Sequence, residues 1–79
     1  MIHVGKMVQQ HIKDSPYTMR SLAEEINSDT GSLFKLFNGK IVLTPKLAMK
    51  LENVFGEGKA SEWLHYQVDY LLWKVKNEE

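Results

Sequence analysis

Thr30, Gly31, Ser32, Phe34 and Lys35 fall within six consecutive positions, and their side chains suit one task, contact with the edges of stacked base pairs. The hydroxyls of Thr30 and Ser32 can hydrogen-bond to several base edges, so alone they discriminate little. Phe34 has two readings: apolar contact with a thymine methyl, or sideways packing against a neighbouring helix. Gly31 lowers helix stability by about 1 kcal/mol, which close approach of the backbone to a ligand would explain, although a single glycine needs no such reason. Lys35, Lys40 and Lys46 add positive charge on or just after this segment. Thr18 opens a preceding helix whose free amide groups and partial positive charge could dock a phosphate, with Arg20 in the same turn.

These residues need two helices across a tight turn, and the stretch TMRSLAEEINSDTGSLFKLFNG from Thr18 to Gly39 supplies the pattern. Thr18 is a good N-cap, and Leu22, Ala23 and Ile26 form the inward face of a short helix. Asn27 tolerates the left-handed conformation that a helix-to-helix turn requires. Asp29 or Ser28 can cap the next helix, whose inward residues are Leu33, Leu36 and Phe37, and Asn38-Gly39 ends it. A helix-turn-helix places this second helix in the major groove, with its N-terminal residues toward the bases.

Three further helices complete the chain. Val4, Met7, Val8, His11 and Ile12 recur at three- and four-residue steps, so residues 4 to 13 read as an amphipathic helix ended by Asp14-Ser15-Pro16. Thr44-Pro45 is a cap followed by proline at the first helical position, and it opens a helix with Leu47, Ala48, Leu51, Val54 and Phe55 on its buried stripe. Gly56-Glu57-Gly58 stops that helix. The fifth runs from about Ser61, read as its cap, to about Lys76. The expected fold is all-α, a five-helix lambda-repressor-like domain spanning residues 1–79.

The fifth helix is apolar on two arcs. At about 100° per residue, Trp63, Tyr66, Tyr70 and Trp73 fall on one and Leu64, Val68, Leu71, Leu72 and Val75 on the other, with Gln67 and Lys74 between them on one side. An ordinary surface helix buries one stripe, so the second arc implies a partner. The aromatic arc of Trp63, Tyr66, Tyr70 and Trp73 is the candidate interface; alternatively these rings lie flat on the domain with their polar tips wet.

Composition narrows the field. The 79 residues carry ten Lys+Arg and ten Asp+Glu, so a polyanion must be held by the placement of charge rather than by its sum. Few phosphate contacts per subunit follow from this, and hence dependence on a dimer. The absence of cysteine excludes disulfides, thiolate metal sites and thiol nucleophiles, and fits a reducing compartment. The first residues lack the basic region and apolar core of a signal peptide, so the expected location is the cytoplasm. No enzyme is expected, and neither metal nor cofactor. His3, His11 and His65 lie in no metal or nucleophile motif, and Glu24-Glu25 directs its carboxylates to different sides of one turn. Gly56-Glu57-Gly58 lacks the strand and spacing of a nucleotide loop.

Several segments resemble the HigA antitoxins, a branch of the phage-repressor (XRE) helix-turn-helix superfamily. They are His3-Val4-Gly5-Lys6-Met7-Val8, Leu22-Ala23-Glu24-Glu25-Ile26, Leu36-Phe37-Asn38-Gly39-Lys40, Leu43-Thr44-Pro45, Ala48-Met49-Lys50-Leu51 and Phe55-Gly56. Trp63-Leu64-His65-Tyr66-Gln67 followed by Tyr70-Leu71-Leu72 is the ending that points to the antitoxin branch. The resemblance implies a homodimer that represses its own operon at a palindromic operator and neutralises a HigB-type ribosome-dependent mRNA endonuclease. It also implies phosphate contacts at Thr18, Met19, Asn38 and Lys40, and base reading by Thr30, Gly31, Ser32 and Lys35. Met19 stands where a glutamine is usual. Two other readings remain, a phage- or plasmid-type repressor without a toxin, and a protein-binding module on the same fold that has lost operator binding.

Overall fold

Each helix boundary has a local cause in the computed structural model, which describes residues 1–78. The chain forms five helices: α1 (Val4–Lys13), α2 (Met19–Glu25), α3 (Thr30–Phe37), α4 (Pro45–Phe55) and α5 (Lys59–Lys76). Thr18 caps α2 in a reciprocal box. Its hydroxyl accepts from the Ser21 amide at 3.1 Å, and the Ser21 hydroxyl accepts from the Thr18 amide at 2.9 Å. Asp29, not Ser28, caps α3, accepting from the Ser32 amide at 2.6 Å. Thr44 caps α4 by accepting from the Leu47 amide at 3.2 Å, with Pro45 at the first position.

Asn27 makes the turn between α2 and α3 with φ 55°, the left-handed conformation its short amide side chain tolerates. The Ser28 amide then reaches back to the Ala23 carbonyl at 2.8 Å. Gly39 ends α3 in the same manner at φ 73°, and the Lys40 amide donates to the Lys35 carbonyl at 2.8 Å.

The start of α5 differs from the expectation at Ser61. The helix begins two residues earlier, after Gly58, which has no side chain to cap it. The acceptor comes from another helix: Glu52 of α4 takes the Gly58 amide at 3.1 Å and the Ala60 amide at 2.9 Å. A carboxylate at the positive end of a helix is favourable on both counts, hydrogen bonding and charge.

The core draws Val4, Val8 and Ile12 from α1, Leu22 and Ala23 from α2, and Leu33, Leu36 and Phe37 from α3. Ala48 and Leu51 of α4 and Ala60 and Trp63 of α5 close it. Leu47, Val54 and Phe55, expected on the buried stripe of α4, are partly buried against it. Gly5 explains why α1 and α3 can lie so near each other. A Cβ there would stand 1.9 Å from the Leu36 carbonyl oxygen, so only glycine permits the approach. The α1 backbone thereby sits directly beneath the C-terminal half of α3.

No helix among the described residues is long and apolar enough to cross a membrane.

Candidate nucleic-acid interface and partner face

Met19 from α2, Thr30, Gly31, Phe34 and Lys35 from α3, and Lys40 from the turn beyond converge on one open groove. The α2–α3 turn is responsible, since it sets the N-terminus of α2 beside the outer face of α3. Leu33, Leu36 and Phe37 take the inward positions, which leaves Phe34 outside with 56% of its surface exposed. More than half of Phe34 is open to solvent, with Met19 lining the same groove. Thr18, Arg20, Asn38 and Lys40 are all exposed around this face, and Ser32 is half-buried at the first turn of α3. Asn38 is partly committed, because its side-chain amide donates to the Phe34 carbonyl at 3.0 Å and finishes the helix. Lys46 lies apart from the groove, in a second depression with Ser28, Ser32 and Lys50.

The groove is short of acids. Asp29 is the nearest, and its carboxyl titrates below the usual carboxylate range, held there by the Ser32 amide, the Ser32 side chain and Lys35. The negative charge is therefore already matched by the helix end it caps, and less of it opposes an incoming phosphate.

The aromatic arc of α5 faces mainly its own domain and most of the aliphatic arc faces solvent, with Leu64 packed against the core and Trp73 exposed as the exceptions. Trp63 is wholly buried (0%), so it belongs to the core and not to an interface. Its ring meets His11 edge-on at 5.4 Å and Phe55 at 6.3 Å. Tyr66 packs on the core and its hydroxyl donates to the Ile2 carbonyl at 2.6 Å. Tyr70 is half-buried beside His3, at 6.4 Å between ring centroids, and of the four aromatic residues only Trp73 is exposed. On the other arc Val68, Leu71, Leu72 and Val75 stand in solvent, with Leu72 at 55% and Val75 at 66%. Their steps of three, one and three residues make a continuous apolar seam of the kind two helices share. Rotation about the helix axis, which periodicity alone leaves free, is fixed by the bulk of Trp63 filling the core.

Gln67 divides the arcs and belongs to the antitoxin-like ending, but its spacing gives no packing role. It accepts from the Leu43 amide at 2.6 Å and donates to the Leu43 carbonyl at 2.9 Å, tying α5 to the segment between α3 and α4. His3, read from the sequence only as lying in no metal or nucleophile motif, also has a packing role. It lies against Gly39, where an added Cβ would be 3.1 Å from the ring.

The geometry defines a small five-helix protein in which the outer face of the α2–α3 pair and an exposed apolar seam of α5 lie on different elements. Comparison places it more narrowly. The chain is 30% identical over 74 residues to virulence-associated protein A of Dichelobacter nodosus, covering 92% of this chain and 72% of that protein. It belongs to the family of that protein. A crystal structure of a hypothetical protein from E. coli superposes with a TM-score of 0.83 at 26% identity, over 98% of this chain and 79% of that one. No protein-family model matches the chain.

Proposed function

We propose that the chain is a HigA-type antitoxin and transcriptional autorepressor, a binding protein without chemistry of its own, which acts on palindromic operator DNA as a homodimer. The observation that carries the DNA reading is the groove in which Thr30, Gly31, Phe34 and Lys35 meet Met19 and Lys40 beside the capped start of α2. Its length of two helical turns and its exposed N-terminal residues suit entry into a major groove. Phosphates would dock at the α2 amides near Thr18 and at Arg20 and Lys40.

The dimer is supported by the seam of Val68, Leu71, Leu72 and Val75, which replaces the aromatic arc as the surface between copies. A neutral chain with few cations near the groove gains most from pairing, because two half-sites add their binding free energies. Neutralisation of a HigB-type toxin is supported by the antitoxin-like ending of the sequence and by an open depression along α1 in which Ile2 and Met7 lie among Lys6, Gln9, Gln10, His11 and Lys13.

Gel shift on the DNA upstream of its own gene, across a salt series, tests the reading. Preference for that duplex over random DNA is expected, and equal affinity for both sinks the repressor. A protein-binding module without an operator is the second reading, favoured by the balance of ten cations and ten anions. Co-purification with a toxin encoded beside the gene, together with failed gel shifts, would establish it instead.

A further inference from the structure

Beside the groove, sharing Lys40 with it, lies a crevice of ≈ 360 Å³ between the start of α1, the turn after α3, and α5. Its polar lining includes His3, Asn38, Lys40, Tyr70 and Lys74. None of the residues lining it is acidic. The ion pair found among the described residues, Lys59 with Glu62, is elsewhere, so Lys40 and Lys74 meet no carboxylate at pairing distance among those residues.

The charges in this crevice repel one another. The His3 imidazole titrates below its ordinary value, first because it is partly withdrawn from water and then because Lys6 and Lys74 lie near it. The groups facing it are Lys6 of α1, the helix that His3 precedes, Asn38, Gly39 and Lys40 from the turn after α3, and Tyr70 and Lys74 from α5. Like charges gathered around a hollow with no counter-charge give it a positive potential, and an anion entering relieves that repulsion. Gly39 helps to shape the site: the ring of His3 occupies the space a side chain would take.

We propose that this crevice is a phosphate-binding site, formed by His3, Lys40 and Lys74, that extends the footprint beyond the helix-turn-helix. Lys40 belongs to both surfaces, so a phosphodiester backbone leaving the groove can continue into the crevice. The phosphate chemistry stands on the crevice alone; only the duplex as its source rests on the DNA-binding reading. A bound phosphate stabilises the imidazolium, so affinity strengthens as pH falls toward the ordinary histidine value and through it.

Histidine NMR of the full chain, with the His3 signal assigned through His3→Gln, tests this in two arms. In the first, inorganic phosphate is added against sodium chloride of equal ionic strength; in the second, the upstream duplex is added. A saturable shift of His3 with a raised midpoint is expected in at least one arm. In the duplex arm Lys74→Gln should lower the slope of log affinity against log salt by about 1. The charge-matched control Lys13→Gln, on the far end of α1, should leave that slope unchanged. A response to phosphate without any duplex binding keeps the site and removes the DNA reading. Duplex binding that depends on Lys35 but leaves His3 titration and the Lys74 slope unmoved keeps the DNA reading and overturns the site. Silence in both arms overturns it as well.

Discussion

The side-chain amide of Gln67 and the backbone of Leu43 form a closed pair, 2.6 Å for the bond received and 2.9 Å for the bond given. Leu43 lies in a segment with no helix or strand to satisfy its polar groups, and it is buried. Gln67 supplies the missing partners and locks α5 to the segment that follows Lys40. Gln67→Ala should therefore lower stability by about 1–3 kcal/mol, the penalty for orphaning buried polar groups. Gln67→Glu should be nearly as harmful near neutral pH, because a carboxylate cannot donate to the Leu43 carbonyl. Urea denaturation followed by circular dichroism reads both.

Gly5 and Gly31 are predicted to behave oppositely. Gly5→Ala places a carbon against backbone atoms of Leu36, which cannot rotate away. A loss of about 3 kcal/mol is expected, at the upper end of overpacking effects. Gly31→Ala meets only the Asp29 carboxylate, at 3.3 Å, on an exposed surface. Stability should rise, by up to about 1 kcal/mol as the helix cost of glycine is removed, while duplex affinity falls if the α3 backbone approaches DNA closely. Paired denaturation and gel-shift measurements separate the two outcomes.

The apolar seam and the buried tryptophan should likewise part company. Leu72→Lys alters an exposed side chain, so the fold should survive and association should weaken, read as a shift toward the monomer mass in light scattering. Trp63→Ala should remove about 3–5 kcal/mol, as expected for emptying a filled core position. Trp63→Phe should be milder than its lost volume suggests, because the indole N–H is buried without a hydrogen-bond partner. A Leu72→Lys variant that dimerises like the parent would discard the seam as the joining surface.

Two residues make the stability decline on acidification, in different pH windows. His3 titrates below its ordinary value, so the folded state binds fewer protons than the unfolded chain. Stability then declines as pH falls through the ordinary histidine range and levels off below the lowered value. Asp29 is also lowered, but as a carboxylate: its contribution is present above the ordinary carboxyl value and disappears as pH falls through the depressed one. His3→Gln should flatten the first decline, and Asp29→Asn, which keeps a capping oxygen, should flatten the second. Thermal melts from pH 8 to pH 2 would show each effect separately.

Much of the fold could be read from the chain because its punctuation is local. Thr18, Asp29 and Thr44 cap by their own side chains, and Asn27 and Gly39 turn by their own backbone freedom, so neighbouring residues suffice to place α2, α3 and α4. The start of α5 could not be placed this way, since its capping carboxylate comes from Glu52 in a different helix. The candidate DNA-reading residues were legible for the same reason, as they lie on one face of a helix with three strongly apolar inward positions. The orientation of α5 was not. Two apolar arcs of similar size are equivalent in a helical wheel, and the volume of Trp63, which only the assembled core can accommodate, breaks the tie. The crevice at His3 is not legible in the sequence because it joins residues from both ends of the chain, and nothing in the spacing of His3, Lys40 and Lys74 brings them together.

The base of α5 is held by Trp63 and by the Gln67 clamp, whereas the seam lies mainly on its outer half. Two copies joined along that seam would carry their α3 helices on stiff arms of set length and angle. For an operator read as proposed, the separation of its half-sites would then be set by α5, away from the proposed reading helix. Lengthening the arm by one turn should displace the two reading helices without altering either, and select a palindrome with a different spacer.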